Sequence, residues 1–190
     1  MTLQGPDPED KRKIHSEVNQ IVNQRLSLTI LSVTVFGAML AWLTPKNPPT
    51  PTSGVGSFAY IGALLLVIVL FALFLLTHHL SYMLRIFTTY LDETGSSYWE
   101  KDWALFRSRF QYMGYTKPQS IIFLVLGTAA AGYPLLLSAA YSLTLEPIWG
   151  TFICIIVGIL YFVFVYGMGI LGWFAKESEI RRKWKELKGN

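Results

Sequence analysis

The chain has 190 residues, 52% of them hydrophobic and 15% Asp, Glu, Lys or Arg, with a net charge of +4. Soluble domains carry about a quarter charged residues, so this composition excludes a water-soluble globule, and its apolar content excludes a disordered chain. A mean hydropathy of +0.39 agrees, and the single cysteine, Cys154, excludes a disulfide scaffold and a Cys-rich zinc module.

In chain order, residues 1–25 read as an amphipathic cytoplasmic helix that runs into the first span. Asp7 can act as N-cap, Pro8 suits the first helical position, and Glu9 and Asp10 complement the helix dipole. Ile14, Val18 and Ile21 recur at spacings of four and three, and Arg25 and Leu28 continue the seam.

Formal charge is absent from 26–45, 47–84, 118–145 and 147–175. Each run has room for the roughly 20 apolar residues that cross a hydrocarbon core about 30 Å thick, and charge at mid-helix costs about 2.5–3.5 kcal/mol on insertion scales. The expected fold is an all-α integral membrane protein, a bundle of four transmembrane helices at about 26–43, 58–78, 120–143 and 148–174, with cytoplasmic amphipathic extensions. The first span follows a polar stretch too long for a signal-peptide n-region and lacks a clean cleavage site, so it is expected to be retained.

The second span continues past His78-His79 as a helix with Leu80, Leu84, Phe87 and Leu91 on one face, and Gly95 stops it. Within the insert 79–118, Ser97 and Glu100 fit a capping box. The helix that follows places Trp99, Trp103, Phe106, Phe110 and Met113 on one side, with Lys101, Asp102, Arg107 and Arg109 on the other. Such a surface can lie in headgroups, pack on neighbouring helices or dock a partner. Pro134 is expected to bend the third span by removing a hydrogen bond and crowding the preceding turn. The tail 175–190 continues span 4 as a basic helix. Ile180, Trp184 and Leu187 form its apolar stripe, Glu177/Arg181 and Glu179/Lys183 are i,i+4 pairs, and Arg181, Arg182 and Lys183 give it a basic face. Attraction to anionic lipid accounts for that face, whereas interleaved acids disfavour nucleic acid.

Orientation follows from the bases. Only Lys46 of the 16 lies on the side opposite the termini, which predicts cytoplasmic N- and C-termini. The outer loops sum to zero charge and the three cytoplasmic segments to 0, +1 and +3.

Nothing in the chain carries a catalytic, cofactor or metal motif. Adjacent helical positions point about 100° apart, so His78 and His79 cannot share one ion as an i,i+4 pair does. The spans do carry close-approach signals: Gly37 with Ala41, Ala59 with Ala63, Gly127 with Ala131, and Thr128 with Gly132, with Gly167 as a further notch in span 4. Packing within the bundle is their default role and homo-oligomerisation a second one. Two functional readings follow. The first is a non-enzymatic inner-membrane anchor, sensor or effector, of the kind that serves bacterial defence or stress responses, with a cytosolic protein partner. The second is a small oligomeric channel or uniporter in which Glu146 rings the outer mouth.

Overall fold

The computed structural model describes residues 7–46, 54–93, 116–172 and 177–189. Its elements are α1 (Pro8–Leu43), α2 (Ser57–Glu93), α3 (Thr116–Ala131), α4 (Tyr133–Tyr141), α5 (Ile148–Gly169) and α6 (Glu177–Gly189). Among the described residues, three helices are long and apolar enough to cross a membrane, or four spans in all if the bent pair α3–α4 counts as one.

Helix α1 starts where the sequence places its signals, with Asp7 as N-cap, Pro8 in the first turn, and Glu9 and Asp10 behind it. Asp7 differs from the expectation in one respect: its side chain makes no capping bond, and its carbonyl accepts from Lys11 N–H at 3.0 Å. The helix ends at Leu43 because Pro45 crowds the residue before it, and Thr44 is extended (φ −70°, ψ 126°). The seam from Ile14 to Leu28 is the half-buried to buried face of α1, and Thr29, Ser32 and Leu43 continue it. Thr29 and Ser32 donate to their own i−4 carbonyls at 2.9 and 2.7 Å, so small polar side chains can be buried there at little cost.

Helices α1 and α3–α4 run one way and α2 and α5 run back. At one end, here the Leu43 end, Val55 N–H donates to the Thr144 carbonyl at 2.9 Å and ties the two loops together. Leu43, Val55, Ala59, Tyr60, Ala63, Tyr133, Leu137, Leu143 and Cys154 form the apolar cluster beneath them. Leu66, Val67, Leu70, Phe74, Phe123, Ala130, Ala131, Tyr161 and Val165 fill the middle of the bundle. Outside this core the surface is oily. Ile61, Ile68, Ile156 and Ile159 are each about 60% exposed, and Trp42 and Trp149 stand out at the Leu43 end. Exposed apolar area on this scale is compatible with a membrane environment, and Trp is enriched at membrane interfaces.

Two expectations about helix ends need correction. The third span is bent by 54° as expected, but the break sits at Gly132, with Pro134 in the first turn of α4. Pro134 cannot donate to residue 130, so the helix yields two residues earlier, where glycine is least costly to distort. The fourth helix stops at Gly169, not near Phe174, and does not run on into the tail. Gly172 takes φ +67° and α6 begins anew at Glu177. Glycine lacks the Cβ that disfavours a left-handed conformation, so Gly172 permits the turn. Late in α2, Thr77, Ser81, Thr89 and Leu91 are buried, and Leu80, Leu84 and Phe87 are half-buried.

Candidate functional site

At the end opposite Leu43, the buried seam changes from apolar to polar. Arg25, on α1, is only 3% exposed. One of its guanidinium nitrogens, Nη2, donates to Gln119 Oε1 on the first turn of α3. Gln119 Nε2 in turn donates to Thr29 Oγ1 at 3.1 Å, and the Thr29 hydroxyl donates to the Arg25 carbonyl at 2.9 Å. A ring of three residues, closed through the Arg25 backbone carbonyl, thus joins α1 to α3, and the amide of Gln119 suits it because it accepts at one end and donates at the other. Arg25 Nε, fully buried, has no hydrogen-bond partner among the described residues.

Arg25 forms no ion pair with a carboxylate of the described residues. A guanidinium stays protonated in proteins, so the ring holds a positive charge with only a neutral amide as acceptor. On the other side of Gln119 a narrow crevice runs between α2, α3 and α5, lined by His78, Ser81, Tyr82, Arg85, Gln119 and Ser120 among others. The Arg85 charge acts on both Arg25 and His78. His78 packs near the Phe74 ring (centroids 5.8 Å apart) and half-buries itself in the crevice, whereas His79 is exposed toward α1. The two imidazoles diverge, as their adjacent helical positions require. No group of three or more His, Cys, Asp or Glu among the described residues could hold a metal ion.

Beyond the crevice, the tail helix α6 is latched to the end of α2. Arg181 Nη1 lies 2.6 Å from Asp92 Oδ2 and 2.9 Å from Glu93 Oε1. Trp184 sits against Tyr90 with ring centroids 4.8 Å apart, and Ile180 and Leu91 are buried nearby. Of the tail residues expected to form a partner or membrane surface, Arg181 and Trp184 are therefore turned onto α2. Arg182 and Lys183 remain exposed, in i,i+4 pairs with Glu186 at 3.7 Å and Glu179 at 3.1 Å. Trp99, Trp103, Phe106, Arg107 and Arg109 lie outside the described residues.

The close-approach residues divide. A methyl group on Gly127 would strike the Tyr161 ring, whose hydroxyl donates to the Phe123 carbonyl at 2.7 Å. Ala131 is buried against α5, with its Cβ 2.9 Å from where a Gly158 methyl would stand. Gly132 is the break itself, and Gly167 is buried. Gly37 and Ala41 face outward, and a methyl group on Gly37 would meet no atom within 4 Å. The packing within the bundle expected of that pair is not made. Glu146 is exposed at the Leu43 end beside Gly54 and Trp149.

Compared with protein families, curated proteins and solved structures, the chain matches none. Sequence reasoning placed Arg25 on the seam but missed its partners Gln119 and Thr29 and the approach of Arg85. The available signal was a lone base at a seam position between Ile21 and Leu28.

Proposed function

We propose that the protein is a non-enzymatic anchor, sensor or effector of a bacterial inner membrane, with both termini in the cytoplasm. In this reading it assembles with copies of itself and engages a cytosolic protein through its helical projection. One observation carries the reading, the mismatch between helix lengths. Helix α5, with 22 residues, is about 33 Å long and matches a hydrocarbon core of about 30 Å. Helices α1 and α2, with 36 and 37 residues, are each about 55 Å long. Both overshoot at the Arg25 end, since their other ends meet the short loops at Leu43 and Ser57. The projection is thus a rigid pair of helices braced by α6.

Its surfaces suit contact with other molecules. Asn19, Gln20, Asn23 and Gln24 on α1 face His79 and Leu80 of α2 across an open groove, and amides can both donate to and accept from a docked chain. Arg182 and Lys183 offer positive charge to anionic headgroups. The channel reading would draw support from polar faces turned outward. The exposed face of α5 carries Ile153, Ile156, Ile159, Leu160 and Val163, which suits lipid and favours the anchor.

Photo-crosslinking in the native host tests the proposal, with a crosslinker placed at Asn19, Asn23, Lys185 or, as control, Ile156. A single cytosolic protein captured from the first three positions and not from Ile156, and co-migrating with the purified complex, is the expected result. Lipid or the protein's own copies at every position would overturn the partner assignment.

A further inference from the structure

Helix α6 is 13 residues long. Isolated helices shorter than about 12–15 residues are marginal in water, so it needs a surface to fold against. Ile180, Trp184 and Leu187 supply its apolar stripe at spacings of four and three. Seated on α2, that stripe is only partly used. Ile180 is buried and Trp184 is half-buried against Tyr90, while Leu187 is 57% exposed. The remainder of the helix is basic. Residues 177–189 hold five bases and three acids, and Arg182, Lys183 and Lys185 are exposed. A short helix with Trp and Leu on one face and Lys and Arg on the other is the kind that lies in the headgroup layer of an anionic bilayer.

We propose that α6 is a releasable membrane-binding helix, whose stripe of Ile180, Trp184 and Leu187 seats either on α2 or on an anionic lipid surface and never on both. The latch sets one base, Arg181, against Asp92 and Glu93 at 2.6 and 2.9 Å, and it leaves Arg182, Lys183 and Lys185 facing water. On a bilayer all three stripe residues are buried and those bases reach headgroup phosphates. Height keeps the two states apart. Helices α2 and α5 both start at the Leu43 end, with 37 and 22 residues, so Tyr90 and Trp184 stand about 18 Å beyond the end of α5. That exceeds the Debye length of about 8 Å at physiological salt. A latched α6 is therefore out of reach of the surface charge and must leave α2 to bind it. Anionic lipid, which engages only the released helix, shifts the population toward release. Release uncovers the flank of α2 that α6 occupied, which ties the exposed surface of the projection to the lipid composition of the leaflet. This switch rests on the membrane part of the proposed function, a tail beside an anionic leaflet, and needs no cytosolic partner.

The test uses the full chain in lipid nanodiscs, which present both membrane faces, on a Cys154→Ala background with a spin label at Leu187→Cys. Discs of phosphatidylcholine alone are compared with discs that also contain phosphatidylglycerol. Collision of the label with oxygen or with a water-soluble nickel chelate reports whether it lies in lipid or in water. Its distance to a second label, at Arg12→Cys on α1, reports whether α6 has left α2. The label is expected in water with phosphatidylcholine alone, and in lipid at a changed distance with phosphatidylglycerol. Asp92→Asn/Glu93→Gln, which loosens the latch and leaves α6 intact, should raise the ratio of inserted to latched α6 about fivefold, the loss of a partly exposed ion pair. Arg182→Gln/Lys185→Gln, which spares the latch, should lower that ratio about tenfold in phosphatidylglycerol. A label in water in both lipids, in lipid in both, or entering lipid at an unchanged distance would overturn the switch, as would a ratio indifferent to both variants. Failure of the chain to enter discs at all would overturn the membrane reading and the switch together, whereas a label fixed in water leaves that reading standing.

Discussion

Arg181, on the tail helix, lies between the last two residues of α2, 2.6 Å from Asp92 and 2.9 Å from Glu93. The two carboxylates are largely covered, at 12% and 11% exposure, so one guanidinium answers two acids that would otherwise repel at a helix C-terminus, where the dipole already disfavours negative charge. Replacing Arg181 by Ala removes that brace at a cost of about 1 kcal/mol for a partly exposed pair. Hydrogen exchange of residues 177–189 should then accelerate by roughly fivefold, with the core of α2 unchanged. Unaltered exchange in the tail would show that Tyr90 and Trp184 hold α6 without the ion pair.

Gly127 and Gly37 should respond oppositely to the same substitution. A Cβ at Gly127 runs into the ring of buried Tyr161, and overpacking of this sort costs about 1–3 kcal/mol. Gly37→Ala meets no neighbour and gains about 0.5–1 kcal/mol of helix propensity. Thermal unfolding of both variants in detergent measures the contrast. Gly37→Leu adds a second readout: a smaller particle by light scattering would place the outward Gly37–Ala41 face at a contact between copies.

Tyr161→Phe isolates a single bond. Its hydroxyl donates to the Phe123 carbonyl at 2.7 Å across the α3–α5 contact, and deleting it should cost about 0.5–1.5 kcal/mol while the ring still fills the notch at Gly127. Chemical unfolding that resolves no loss would mean that water or another donor serves that carbonyl.

Orientation is open to direct labelling because Cys154 is the only cysteine and is buried. On a Cys154→Ala background, Lys46→Cys should react with an impermeant maleimide added to intact spheroplasts. Ser16→Cys and Lys185→Cys should react only after lysis, as the distribution of basic residues predicts. The reverse pattern would invert the proposed topology.

Glu146→Gln separates the anchor from the channel. Glu146 is exposed at the Leu43 end, so the substitution should change stability by no more than about 0.5 kcal/mol. Reconstituted parent protein is expected to be silent in planar bilayers. Cation currents whose selectivity shifts in the variant would establish the channel reading instead.

The apolar helices and their approximate ends were legible because they follow from local chemistry. Charge is absent where hydrocarbon excludes it, and a seam at spacings of three and four marks the inner face of the projection. Such signals need no knowledge of neighbours. Tertiary structure decided everything that depends on which neighbour lies opposite. Gly37-x-x-x-Ala41 and Gly127-x-x-x-Ala131 are the same pattern, yet the first faces outward and the second receives Tyr161. Arg181 could as easily have paired within its own helix, but the placement of α6 against the end of α2 gives it to Asp92 and Glu93. The low charge content could assign Arg25 to a helix face, while only the packing of α1 on α3 buried it against Gln119, because burial and pairing belong to the assembled bundle and not to any one segment.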